Sequence, residues 1–130
     1  MPHPLPDITT REDCERLVRA FYARAFEDER LGPIFVDVAQ LDLDTHVPRI
    51  TSFWASVLLD ERSYPGGAFI PHHQLDQLTP LTPELFARWL AIWFTTVDAL
   101  FAGRVADEAK FRAEKVAIAF SGRLEQRRRE

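Results

Sequence analysis

The sequence predicts an all-α fold. Apolar residues recur at helical spacing in several long stretches, no sustained period-2 alternation occurs, and no turn signal joins two strand-like runs. A further observation bears on function. Tyr22, His46 and Trp89 sit in or beside these apolar stripes, and His72 lies in a Pro-flanked irregular stretch between the last two. An unpartnered buried polar group costs about 1–3 kcal/mol. Four such groups in so short a chain point to one shared pocket holding something polar or metallic.

Met1-Pro2-His3-Pro4-Leu5-Pro6 opens an irregular lead-in over residues 1–8, where proline blocks helix. Thr9 followed by Glu12 reads as a capping box. Cys14, Leu17, Val18, Phe21, Tyr22, Ala25 and Phe26 then mark one face of a first helix. Leu31-Gly32-Pro33-Ile34-Phe35 ends it and delivers two large apolar residues from a turn. A second helix starts near Asp42 or Asp44, with Pro48 in or just after its first turn. Its inner face is His46 or Val47, Ile50, Trp54, Val57 and Leu58, with Phe53 on the shoulder.

Residues 60–82 contain Pro65-Gly66-Gly67, Pro71 and Pro80 and form no single regular element; one short helix fits around His72 to Leu75. Such a stretch inside a compact domain is unusual unless it is functional. Thr82-Pro83-Glu84 starts a third long helix, with an aromatic face from Phe86 to Phe101 and Gly103 after it. Ala109, Ala113, Val116, Ala117, Phe120 and Leu124 mark a last helix, and residues 125–130 read as a frayed basic tail.

The chain has 130 residues, 46% hydrophobic and 28% charged, with net charge −4. Those values fit one soluble domain over 1–130. The terminal Arg127-Arg128-Arg129 reads as a solvated helix end, which disfavours a nucleic-acid partner. No apolar run approaches the roughly 20 residues needed to span a bilayer, so no membrane role is expected. One cysteine, Cys14, permits no internal disulfide, in keeping with a cytoplasmic location.

Taken singly, each candidate has an ordinary reading. His72 reads as a surface loop histidine, His46 as a polar residue at a helix start, Tyr22 and Trp89 as core aromatics. His3, His46, His72, His73 and Cys14 offer no zinc-ligand spacing. A nucleophile elbow, a phosphate-cradling glycine motif and Cys-x-x-Cys-His are all absent, so any haem is held non-covalently. One ligand does account for the combination: a haem needs an aromatic-lined apolar slot, one histidine for iron and a polar cluster across from it.

Here the sequence resembles the truncated haemoglobins, specifically their group III. The blocks that carry the resemblance occur in the family's order over roughly residues 14–120. They are Phe21-Tyr22; Leu31-Gly32-Pro33-Ile34-Phe35; His46 with Ile50, Phe53 and Trp54; Tyr64 eight residues before His72; His72-x-x-Leu75; and Phe86-x-x-Trp89-Leu90. The resemblance implies a shortened globin fold, a two-over-two helical sandwich around a haem b. It implies His72 as the iron ligand, with His73 the alternative register, and Tyr22, His46 and Trp89 as the distal polar cluster. Phe35, Ile50, Phe53, Trp54, Leu75 and Trp93 become apolar contacts, and Arg49 a partner for a propionate. The connection from His72 to Phe86 is a few residues longer than the family's usual one.

The implied function is binding of dioxygen, NO and CO in a pocket that retains its ligand. The alternative is a nitric-oxide dioxygenase or peroxidase-like enzyme. The chain has no flavin or nicotinamide domain, so such an enzyme needs an external reductase. A helical interaction module without cofactor is the third class. The expected state is a monomer or weak homodimer.

Overall fold

A computed structural model describes residues 4–129 apart from 63, 65, 67 and 68; the side chains of 69–71 and 73 also lie outside the description. The lead-in residues 1–3 and most of the Pro65-Gly66-Gly67 motif therefore fall outside it. Among the described residues the regular structure is all helical, in more pieces than periodicity alone indicates.

The first stripe folds as α1 (Arg11–Glu27), with Cys14, Leu17, Val18, Phe21, Tyr22 and Ala25 buried. The capping box is one residue later than the spacing indicates. Thr10 Oγ1 accepts the Asp13 N–H at 3.1 Å, and the Asp13 carboxylate accepts the N–H groups of Thr9 and Thr10. Asp13 wins over Glu12 because one carboxylate satisfies both of those donors and the Thr9 hydroxyl as well.

The expected turn after α1 is itself helical, a short α2 (Leu31–Pro33) running into a π-helical turn, Ile34–Val38. Gly32 is needed there, since a Cβ would collide with the Phe26 carbonyl oxygen. The Asp28 carboxylate holds the corner, accepting the Arg30 and Leu31 N–H groups and Arg88 Nε at 2.6 Å.

Asp42 caps α3 (Leu43–Leu59), accepting the Asp44 N–H. Pro48 lies deeper than expected, in the second turn, where it deletes the bond an N–H would make to the Asp44 carbonyl. The fully buried face is Val47, Thr51, Trp54 and Ala55. The face expected from His46, Ile50, Val57 and Leu58 is half-buried instead, because His46 and Ile50 border a hollow rather than packed atoms.

The stretch 60–82 holds a ten-residue helix, α4 (Phe69–Leu78), longer than expected. Asp76 explains the long connection that follows. Its buried carboxylate accepts the Leu81 N–H at 2.7 Å and pairs with Arg128. Thr82 caps α5 (Pro83–Leu100) as expected. The last helix, α6 (Arg104–Arg128), continues through most of the segment expected to fray, ending on the Asp76–Arg128 contact.

Helices α1 and α3 pack as one pair and α5 and α6 as the other; α1 crosses onto α5 and α3 onto α6. This is the expected two-over-two sandwich. Buried Ala106, Ala109, Ala113 and Ala117 let α6 approach α5 closely. Trp93 sits between the layers, stacked on Trp54 at 4.5 Å between centroids, its indole N–H donating to the Ala109 carbonyl at 3.2 Å. No described helix is long and apolar enough to cross a membrane.

Gly103, at φ +136°, precedes α6 and brings no capping side chain. Asp7 supplies the missing acceptor from the far end of the chain, taking the Val105 and Ala106 N–H groups at 3.0 and 2.8 Å. A Cβ on Gly103 would lie 2.6 Å from that carboxylate. Asp7→Ala is expected to lower the unfolding free energy by about 1–2 kcal/mol, measured by urea denaturation. Burial opposes the Asp7 charge, but the three backbone hydrogen bonds outweigh it and hold its pKa below the ordinary 3.8. The folded value is the lower one, so the contribution is complete above the ordinary pKa and is lost as pH falls through the folded value. In that acid range the wild type loses stability more steeply than the variant.

Candidate functional site

The half-buried edges of α1, α3 and α5, together with α4 and α6, surround a cavity of about 640 Å³. That lies within the ~300–1,000 Å³ of cofactor sites. Tyr22 reaches it from α1 because it stands at the rim of a stripe whose centre, Phe21, is core. Its ring meets Phe21, Phe26 and Phe35 edge-on at 5.2, 6.0 and 5.6 Å. The Tyr22 hydroxyl lies 2.7 Å from His46 Nε2. The two polar residues thus satisfy one another inside an otherwise apolar wall.

Both members of this pair are neutral at physiological pH. Burial raises the Tyr22 pKa well above its usual value. Burial, then the charges of Arg49 and His72, lowers that of His46 to about 4. Arg49 is exposed at the rim of the cavity and also acts electrostatically on Tyr64, which packs edge-on against Phe53 at 5.3 Å.

His72 comes from α4, half-buried, with its ring 4.9 Å from that of Phe120 on α6. Leu75, one turn on, lines the same wall. His73 stands about 100° around the helix from His72; its side chain lies outside the described residues. Among the described residues no three His, Cys, Asp or Glu side chains converge as metal ligands do.

Trp89 and Trp93 lie one turn apart on α5 and stack at 6.2 Å, yet differ in kind. The Trp93 N–H is taken by Ala109. The Trp89 N–H has no hydrogen-bond acceptor among the described residues, and its ring meets Phe21 at 6.1 Å. Trp89 thus brings an uncommitted donor.

All the candidate residues meet here: Tyr22, His46 and Trp89, then Arg49 and His72, and the apolar set Phe35, Ile50, Phe53, Trp54, Leu75 and Trp93. The site also uses residues read from sequence only as helix core, notably Val116, Ala117 and Phe120 of α6. Their i, i+1, i+4 spacing marked a buried face without indicating that the face borders a hollow.

The arrangement has relatives of known structure. The chain is 29% identical over 121 residues to the group 3 truncated haemoglobin ctb of Campylobacter jejuni, covering 91% of this chain and 93% of that protein. The crystal structure of a group III truncated haemoglobin from Campylobacter jejuni superimposes with a TM-score of 0.79 at 28% identity, over 90% and 92% of the two chains. The chain is similar in sequence and in fold to group III truncated haemoglobins. No family model matches the sequence. The likeness rests on the relative and on the superposition together.

The depressed His46 pKa has a measurable consequence. The ring is expected to stay neutral by NMR until the pH approaches 4. Because the folded value lies below the ordinary 6.5, the associated stability is complete above about pH 6.5 and is lost as pH falls toward 4. His46→Gln removes the titrating group, so the variant's stability should vary less across that window.

Proposed function

We propose that this protein is a group III truncated haemoglobin that binds haem b in the cavity and uses it to hold diatomic ligands: dioxygen, NO and CO. The supporting observation is the Tyr22–His46 pair, 2.7 Å apart, in an apolar cavity that also receives a second described imidazole, His72, from another wall. The cavity volume fits the group, and the residue set supplies one metal ligand where the macrocycle brings the others. Cys14 offers no covalent attachment, since it is fully buried in the α1 face and burial raises its thiol pKa to about 11. When bound, haem would supply an iron centre able to hold a diatomic ligand.

Each residue then has a task. His72 would hold the iron through a ring nitrogen, with its imidazole packed beside Phe120. Phe35, Ile50, Phe53, Trp54 and Trp93 exclude water from the macrocycle, and Arg49 at the rim pairs with a propionate. Tyr22, His46 and Trp89 face the diatomic.

The Tyr22–His46 hydrogen bond sets which proton is available. With the His46 proton on Nδ1, the Tyr22 hydroxyl donates to Nε2 and is spent. With the proton on Nε2, His46 donates to the Tyr22 oxygen and the hydroxyl proton is free for the ligand. Ligand retention therefore draws on the second tautomer, and the neutrality of His46 keeps both accessible. Trp89 adds a donor independent of this choice.

The same uncommitted donors favour a second reading, a nitric-oxide dioxygenase or peroxidase-like enzyme with electrons from a separate reductase. Either activity is consistent with one cytoplasmic domain over residues 1–130. Steady conversion of NO to nitrate with a supplied reductant separates this enzyme from a binder.

Three variants test the assignment. His72→Ala should abolish the Soret band after haem supplementation while His73→Ala retains it; the reverse result transfers the ligand role to His73. Tyr22→Phe should speed dioxygen dissociation roughly 10–100-fold, since one charge-assisted hydrogen bond contributes about 1.5–3 kcal/mol. An unchanged off-rate by stopped flow removes Tyr22 from ligand retention.

A further inference from the structure

Asp76 is the one buried carboxylate among the described residues. It stands one turn after His72 on α4, so the two share a face of that helix. Its Oδ1 accepts the Leu81 N–H at 2.7 Å and pairs with Arg128 Nη1 at the end of α6. Those partners adjoin an apolar cluster. Leu81 belongs to it, and so does Leu124, one turn before Arg128. Replacing a buried ion pair by well-packed apolar residues is often neutral or stabilising. What a carboxylate adds in such surroundings is direction, because it draws donors from two different elements to one oxygen.

Helix α4 packs chiefly on α6, and His72 and Asp76 both meet it. On α6 the residues that receive them, Phe120 and Arg128, lie two turns apart on one stripe, with buried Leu124 between. At the level of His72 the contact is the Phe120 ring, 4.9 Å away and tilted. Such an apolar contact alone allows a helix to pivot and slide. At the level of Asp76 the contact is charged and directional. The Leu81 N–H ties the same oxygen to the residue just before the α5 cap. Two attachments one turn apart on one face fix the rotation of α4 about its axis as well as its tilt.

We propose that Asp76 and Arg128 are positioning residues for His72: their pairing, with the Leu81 N–H as third member, sets how the imidazole of α4 enters the cavity. The inference rests on His72 being the haem ligand, as proposed above. It makes the basic end of the chain part of what retains the cofactor, although Arg128 lies outside the cavity. Arg128 is the last residue of α6, beyond the last buried residue of that helix, so loss of its side chain leaves the apolar core of α6 in place.

Arg128→Ala and Asp76→Asn test the pair in the full chain. Asparagine keeps an oxygen for the Leu81 N–H but drops the charge that Arg128 answers. Loaded with haem, each variant should release it to excess apomyoglobin roughly tenfold or more faster than wild type, as for residues that orient a metal ligand. Each should also shift the iron–histidine stretching band of the ferrous protein in resonance Raman spectra, and Arg128→Lys should recover part of both effects. A pair that only stabilises the fold lowers the urea midpoint and leaves that band unmoved. An unmoved band, or an unchanged rate of release, overturns the proposal. Hydrogen exchange on the haem-free chain supplies a readout independent of the cofactor. Amides of α4 should exchange faster in both variants, and those of α1, α3 and α5 as in wild type. If the wild type acquires no Soret band, the haem reading fails and the exchange result alone judges the pair. Exchange unaltered in α4, or raised evenly along the chain, overturns it.

Discussion

Trp93 is the contact on which the arrangement of the helices depends. It is 1% exposed, stacks on Trp54 of the facing layer, and donates its N–H to the Ala109 carbonyl of α6. One side chain therefore fixes the distance between layers and the spacing within a layer. A helical sandwich of this size containing a cavity of about 640 Å³ cannot rely on the packing of its middle. The walls have to be held from one side, and Trp93, with Phe21, Val97 and the α6 alanines, makes that side solid. Where packing against it stops, at Tyr22, His46, Ile50 and Trp89, the helices present half-satisfied edges to the hollow. The core and the site are two sides of the same stripes.

This explains why polar residues occupy positions that periodicity marks as apolar. Each stands at the margin of a buried face, where a hydroxyl, imidazole or indole N–H finds either a neighbour across the cavity or a bound group. Tyr22 and His46 take each other, whereas Trp89 is left with a donor to give. Burial also keeps the first two uncharged, so the cavity carries directed hydrogen-bonding groups without fixed charge until its rim, where Arg49 stands in solvent.

Much of this was legible in the sequence because it is local. The stripe from Cys14 to Phe26, the Thr82-Pro83 cap and the aromatic face of α5 rest on spacings of three and four residues, which a helix converts directly into a face. The meeting of Tyr22, His46, Trp89 and His72 was legible only as an accumulation of misfits and through the family resemblance. What escaped lies beyond local spacing. Asp7 caps a helix that begins some hundred residues later, and Asp76 is buried because Arg128 and the Leu81 N–H converge on it. Neither partner can be named from the residues flanking the aspartate. The Thr9/Thr10 offset and the depth of Pro48 reflect competition among adjacent caps, which spacing alone leaves undecided. The bulk of the α3 face shifted for a related reason: periodicity identifies an inward side but not whether atoms or space lie there.

The placement of His72 on α4 has a thermodynamic consequence. Among the helices α4 packs chiefly on α6, and its far end is held by the buried Asp76 carboxylate, while its cavity side faces the hollow. The helix that carries this imidazole thus has one side on α6 and another open to whatever the cavity receives. A group that enters and is gripped there adds to the stability of the folded chain by RT ln(1 + [L]/Kd). Affinity for a bound group and fold stability are thus linked in this protein, so a core substitution far from His72 that loosens α6 should also weaken retention of a group held against α4.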